Sequence, residues 1–235
     1  MKLQAVFLDV GQTLIYPCPD GEAFAAIAAS IGLELSPETV REHLPQMYAT
    51  YEDNYLQGAA FWEDAVAARA VWLEAYTLLY RLVGLPEQAT ELARRAYEFY
   101  FNPGAWLVYP DARPALVELK RRGLRLGLIS NWDNSLVPII QGLGLSGYFE
   151  TIIASADVGE HKPEPAIFTL ALRRLNLPPT AALHVGDRID ADVQGAQAAG
   201  LSAVLLDRDN RYPDFTAAPR LQSLSELPAL LDNWS

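Results

Sequence analysis

Beyond residue 113, without any internal sequence repeat, the chain alternates amphipathic stretches of helical length with short apolar runs. "PALVELKRRG" leads into "LRLGLIS", "SLVPIIQGLGL" into "FETIIAS", "PAIFTLALRRLNL" into "AALHVG", and "DADVQGAQAAG" into "SAVLLD". Runs this short and apolar keep no face for water, so they read as strands buried on both sides, and the stretches between them are long enough to be crossover helices. The spacing therefore predicts βαβ units and a parallel sheet covered by helices on both faces. "LQAVFL" at 3–8 ends at an acid and supplies a further strand. Between it and the alternating region the pattern changes. "YPCPDG" breaks the chain, residues 21–101 then read as helix almost throughout with Ser36 as an N-cap, and "FNPGAWLVYPDARP" marks a boundary by its Pro and Gly content.

Composition narrows what such a chain can meet. Its 235 residues suffice for one large domain or a core with a smaller attached unit, and 51% of them are hydrophobic, which excludes disorder. A formal net charge of -11 opposes polyanion binding, because counterion release needs clustered Lys and Arg, so no nucleic-acid partner is expected. Cys18 is the single cysteine and forms no internal disulfide, which fits a reducing compartment. "MKLQAVFLDVGQT" reaches an acid at position 9, too early for an apolar signal segment, and no run approaches the roughly eighteen apolar residues of a membrane span. A soluble, cytoplasmic protein without a membrane partner is expected.

In parallel sheets ligands bind beyond the carboxyl ends of the strands. Asp9, Ser130 with Asn131, the loop to Lys162, and Gly186 with Asp187 fall there. Singly they have plain readings: Asp9 as a turn residue, Ser130 and Asn131 as helix caps, Lys162 as a solvated loop lysine, and Asp187, Asp190 and Asp192 as acids favoured at a helix N-terminus. Four such accidents on one sheet edge are harder to credit. In this order and at these separations the segments "DVGQTL", "LISN", "KPEPAIF" and "HVGDRIDADVQGAQAAG" resemble the motifs of the haloacid dehalogenase-like hydrolase superfamily, the last being the most specific. The resemblance spans nearly the whole chain. It implies an α/β fold with a Rossmann-like parallel sheet core at 1–16 and 106–235, and an inserted all-helical cap at 17–105.

Phosphoryl chemistry gives each position a task. Asp9 would attack in line and form an aspartyl-phosphate, splitting one hard displacement into two easier ones. Mg²⁺ would be held by the hard oxygens of Asp9 and Asp187. In the superfamily the third protein ligand is the backbone carbonyl two residues after the nucleophile, here that of Gly11. Ser130 and the amide of Asn131 would bind phosphoryl oxygens, Lys162 would offset charge on Asp9 and on the substrate, and Asp192 would order Lys162 or water beside the metal. The expected ligand is a small phosphorylated or otherwise anionic metabolite.

Gly11 is the departure. Most phosphatases of the superfamily carry a second aspartate there, which protonates the leaving oxygen and later activates water. Three readings follow: a phosphatase that is slow or prefers leaving groups needing no proton, such as acyl phosphates; a 2-haloacid dehalogenase-type hydrolase, whose halide leaves unprotonated; or a protein that binds without turnover. Superfamily dehalogenases lack the metal-binding acid at the position of Asp187, so its presence favours a Mg²⁺-dependent phosphatase. Phosphonate hydrolysis, which uses a cap lysine, is closed, since no lysine occurs between Lys2 and Lys120.

The insertion carries two aromatic stripes, Tyr48, Tyr51 and Tyr55 on one helix and Trp72, Tyr76 and Tyr80 on another. Their spacing reads as packing, and no substrate contacts are assigned to them. Arg41 is the arginine a dehalogenase could use against a carboxylate, although its place reads as a solvated helix surface. "FWED" at Phe61 to Asp64 could bring an acid near the site. His43, His161 and His184 lack the spacing of zinc ligands; His184 falls within a strand and His161 flanks Lys162 as a candidate proton donor.

Overall fold

A computed structural model describes residues 3–232 and 234. Eight strands are ordered along the chain: β1 (Ala5–Leu8), β2 (Ile15–Pro17), β3 (Trp106–Val108), β4 (Arg125–Ser130), β5 (Thr151–Ala154), β6 (Ala182–Gly186), β7 (Ser202–Leu206) and β8 (Arg220–Leu221). Helices α1 (Asp20–Ala29), α2 (Pro37–Gln57), α3 (Ala65–Leu82) and α4 (Ala89–Tyr100) lie between β2 and β3. Six more follow: α5 (Ala112–Arg121), α6 (Leu136–Gly142), α7 (Ser155–Val158), α8 (Pro165–Leu175), α9 (Gly195–Ala198) and α10 (Leu227–Asp232). No helix among the described residues is long and apolar enough to cross a membrane.

The main sheet has the order β5-β4-β1-β6-β7-β8, and its strands are parallel throughout. β1 lies at its centre, with Leu8 level with Leu128 on one side and Val185 on the other. Period-two alternation sends Val6 and Leu8 into a cluster with Leu116, Leu128 and Ile140, and Ala5 and Phe7 into a second with Ile129, Phe168 and Leu205. Both faces are thus dry, which is why these strands read as apolar runs rather than alternating ones. With α5, α6 and α10 sharing the first cluster and α8 and α9 the second, the expected layered α/β core is observed.

The four helices α1–α4 share an apolar cluster of their own, built around Phe24, Met47, Leu79, Tyr80 and Leu92. Where sequence reading placed only chain breaks, β2 and β3 pair antiparallel and form the two-stranded stem from which the helices spring. These partners lie some ninety residues apart and contain Pro17, so no local signal announces them. A second difference concerns "DADVQGAQAAG", expected as one helix. It is a π-helical turn at Ile189–Gln194 followed by the short α9. The carbonyl of Arg188 accepts from both Asp192 N–H at 3.0 Å and Val193 N–H at 3.2 Å, widening the turn at the residue that faces the strand tips.

Gly127 stands mid-strand in β4, where glycine ordinarily weakens a sheet. A Cβ there would lie 2.7 Å from Phe7 Cδ1 and 2.8 Å from Thr151 Cγ2, so the neighbours on both adjoining strands already occupy its place. Gly127→Ala is expected to destabilise the fold by about 1–3 kcal/mol through overpacking, read from the urea midpoint at unchanged slope.

Candidate active site

The loop after β1 is wound tightly. Asp9 N–H donates to the Val185 carbonyl at 2.9 Å, three successive N–H groups from Thr13 to Ile15 converge on the Val10 carbonyl, and Gln12 takes the left-handed conformation with φ 55°. A non-glycine residue so placed is a strained feature of the kind found beside functional groups. The turn leaves Asp9 at the tip of the central strand, 6% exposed.

Ser130 Oγ donates to Asp9 Oδ1 at 3.0 Å, and Lys162 Nζ donates to the same oxygen at 2.6 Å. Oδ2 of Asp9 accepts no hydrogen bond among the described residues. Lys162 Nζ also donates to Asp192 Oδ1 at 2.6 Å, so one ammonium bridges two carboxylates. Asn131 holds the backbone of Lys162 in place: its Oδ1 accepts from Lys162 N–H at 2.7 Å and its Nδ2 donates to the Lys162 carbonyl at 2.8 Å. Burial alone would push the Lys162 ammonium down, yet the charges of Asp192 and Asp9 outweigh it and hold the group above its ordinary value.

Asp192 is fixed from three sides. Besides Lys162, His184 Nε2 donates to its Oδ1 at 2.8 Å and Arg188 N–H donates to its Oδ2 at 3.0 Å. His184 and Gly186 share one face of β6, and a Cβ at Gly186 would lie 2.2 Å from Asp192 Cγ. That glycine clears the space the carboxylate fills. His184 Nδ1 has no partner among the described residues, which assigns the donated proton to Nε2 of a neutral ring, in keeping with burial that pushes its protonation down. His184 and Arg188 were not assigned site roles from sequence; the adjacency of Arg188 to Asp187 was a signal, whereas the His184 contact depends on the fold of the π-helical turn.

One oxygen each from Asp9, Asp187 and Asp192 lies within 4.8 Å of the others. Against these three acids stands one ammonium, and Asp187 has no hydrogen-bond or ion-pair partner among the described residues. Burial first, then the charges of Asp9 and Asp192, push its carboxyl well above the ordinary range. Hard oxygen donors with excess negative charge fit a small divalent cation. Asp9, Asp187 and the carbonyl of Gly11 could hold it, with Asp192 committed to Lys162.

Other residues fall apart from this cluster. Arg41 is exposed and pairs with Glu22 and Glu38, as its plain reading held. The acids of "FWED" turn elsewhere: Glu63 meets His161 Nδ1 at 3.0 Å, and Asp64 caps α3 by accepting from Val66 and Ala67 N–H at 2.9 Å. His43 bonds the Thr39 carbonyl. The aromatic stripes require correction, because Tyr48, Tyr51 and Tyr55 of α2 and Trp72 and Tyr76 of α3 line the cavity of about 710 Å³ that opens on Asp9, Ser130, Lys162 and Asp187. The packing reading holds in part: Tyr55 and Tyr76 are buried in apolar clusters as well as lining the cavity, and Tyr80 lies wholly inside the helical insertion, donating to the Phe24 carbonyl at 3.1 Å. Helical spacing identifies a shared face but not whether a wall or a core lies opposite. Arg188 reaches α2, with Nη1 2.9 Å from Glu52 Oε1 and its guanidinium 4.0 Å above the Tyr55 ring.

Residues 3–200 match the family model described as haloacid dehalogenase-like hydrolase. Haloacid dehalogenase-like hydrolase domain-containing protein 3 of Mus musculus is 34% identical over 209 residues, covering 88% of this chain and 82% of its own. A phosphoserine phosphatase of Thermus thermophilus is 36% identical over 184 residues, covering 76% and 70%. The crystal structure of a 2-haloacid dehalogenase from Pseudomonas syringae superposes with a TM-score of 0.65 at 25% identity, covering 99% of this chain and 100% of that one.

A carboxyl raised in the folded state contributes stability present at low pH and lost as pH rises through its folded value, whereas a cation binds its ionised form. Mg²⁺ is therefore expected to raise Tm little in mild acid and increasingly as pH rises, and Asp187→Asn should flatten that trend. Differential scanning fluorimetry across pH 5–8 checks both.

Proposed function

Because the chain belongs to the haloacid dehalogenase-like hydrolase family, we propose that it is a Mg²⁺-dependent phosphatase of small molecules, acting through an aspartyl-phosphate on Asp9. The observation that carries this reading is Asp187, an acid just past the tip of β6 that has no ion-pair partner among the described residues and lies beside two further carboxylates. A haloacid displacement would gain nothing from it, since a further unmatched carboxylate repels an anionic substrate and the departing halide. The similarity to the Thermus phosphoserine phosphatase supports the same choice. Mg²⁺, held by Asp9, Asp187 and the Gly11 carbonyl, would neutralise phosphoryl charge and draw the group to the strand tips.

The chain's own residues then divide the work. Oδ1 of Asp9 is anchored by Ser130 and Lys162, which leaves Oδ2 to attack phosphorus. The bond to the leaving oxygen breaks as the new P–O bond forms, and the ammonium of Lys162 offsets the charge that collects between carboxylate and phosphoryl group. Ser130 Oγ turns from Asp9 to a phosphoryl oxygen; the side chain of Asn131 is engaged with Lys162, so its backbone N–H is its contribution to the substrate. Asp192 positions Lys162. Water then hydrolyses the acyl phosphate and restores Asp9.

Gly11 supplies no proton to the leaving oxygen, a role typically worth about 10² to 10⁴ in rate. A Cβ at position 11 would lie 3.4 Å from Trp132 Cζ3, an ordinary contact, so an acid can be introduced. Acyl and aryl phosphates, whose leaving groups are stable without a proton, should be the best substrates.

Acetyl phosphate and p-nitrophenyl phosphate should release phosphate only with Mg²⁺, and Asp9→Asn should abolish that release. Gly11→Asp should raise turnover of alkyl phosphates by about 10² in a phosphate-release assay. Wild-type silence towards acyl, aryl and alkyl phosphates alike, or chloride release from 2-chloropropionate, overturns the reading.

A further inference from the structure

The phosphate-directed residues occupy one end of the cavity. Elsewhere its wall is a continuous aromatic belt. Tyr51 stacks on Trp72 at 4.8 Å with 9° between the planes, Trp72 meets Tyr76 at 5.6 Å, Tyr76 meets Tyr100 at 5.9 Å, and Tyr100 meets Trp106 at 6.1 Å. Asp20, the first residue of α1, is set into this belt. Its Oδ2 accepts from Tyr48 Oη and its Oδ1 from Tyr100 Oη, each at 2.5 Å.

Charge in the cavity is unevenly matched. Lys162, Arg188 and Arg211 line it, and each is already bound to a carboxylate, through Asp9 and Asp192, Glu52 and Asp190, and Asp209 respectively. Asp20 has hydroxyl partners and no cationic one among the described residues. Burial pushes its carboxyl up and the two hydroxyl bonds act against that, as befits an acid without a counter-ion.

We propose that the belt around Asp20 receives a quaternary ammonium group, so that the substrate class is a zwitterionic organic phosphate whose leaving half carries that cation. For its phosphate half this rests on the phosphatase reading; the ammonium site stands on its own residues. Aromatic faces attract a cation within about 6 Å of the ring centre, most strongly where water is excluded. Tyrosines donating to a carboxylate carry extra electron density, which strengthens that attraction. Each oxygen of Asp20 already accepts a hydroxyl and its neighbours along the belt are aromatic rings, so the surroundings offer charge and ring surface more than further acceptors, which suits a methylated nitrogen. A neutral ring would fill the same space and leave the charge of Asp20 unmatched. The volume, about 710 Å³, accommodates an organic group beyond the phosphate.

Choline and its uncharged isostere 3,3-dimethylbutanol test the site without turnover, by titration of tryptophan fluorescence or calorimetry. Choline should bind at least about tenfold more tightly. Asp20→Asn, and Trp72→Leu as a second variant, should bring that ratio towards one. Equal affinities, tighter binding of the alcohol, or no binding of choline at millimolar concentration overturns the proposal. Between two alkyl phosphates that make the same demand for a leaving-group proton, phosphocholine should exceed 3,3-dimethylbutyl phosphate in kcat/KM by a similar factor. Choline selectivity with no phosphate release from any ester would sink the phosphatase reading alone; hydrolysis of acetyl phosphate without choline selectivity would sink the ammonium site alone.

Discussion

The site is organised by one buried ammonium held between two carboxylates. Lys162, Asp9 and Asp192 are 2%, 6% and 1% exposed, and stripping water from three charges is costly enough that a buried ion pair is weak evidence of stability. Its effect is positional. Asp192 is held by His184 and the Arg188 N–H, and occupies the space cleared by Gly186; Lys162 is clamped through its backbone by Asn131. The ammonium therefore has one place to go, and it fixes Oδ1 of Asp9. Asp187 remains as the charge the lysine does not cover. The cation site that we propose rests on that imbalance.

A second set of contacts ties the helical insertion to the strand tips. Arg188 follows Asp187 directly and lies against Glu52 and Tyr55 of α2, while His161, next to Lys162, pairs with Glu63. Each joins the insertion to a residue beside the charged cluster. Both are partly exposed pairs, individually worth little in stability. Their position means that movement of α2 is felt next to Asp187. The aromatic rings that line the cavity over the tips lower the local polarity, which strengthens the electrostatic interactions beneath them.

Gly11 and the belt bear on each other. On the proposed phosphatase reading, the loop after β1 offers no acid to the leaving group at position 11, so discrimination between substrates would fall to the part of the molecule the phosphate leaves behind. Trp132, beside Gly11, is held by Ser135 Oγ at 2.9 Å and meets Trp106 of the belt at 4.9 Å. The wall near the reacting bond and the wall around the organic group are thus one packed surface.

The sequence by itself determined the sheet and what stands at its edge. Apolar runs of strand length separated by helical stretches leave few alternatives to a parallel layered core, and a parallel sheet brings the ends of β1, β4 and β6 to one edge, so Asp9, Ser130 and Asp187 were legible as neighbours before any coordinates. Period-two burial on both faces is a local property. The tertiary structure decided what depends on approach between distant segments: the β2–β3 stem, the His184 and Arg188 contacts to Asp192, and the orientation of the aromatic stripes. A stripe on a helix states which side chains travel together; only the packing of α1 to α4 above the strand tips determined that Tyr48, Tyr51 and Trp72 face a cavity while Tyr80 faces a core. The physical reason is that hydrophobic burial and aromatic contact are non-directional along the chain, whereas a cavity exists only where two surfaces fail to meet.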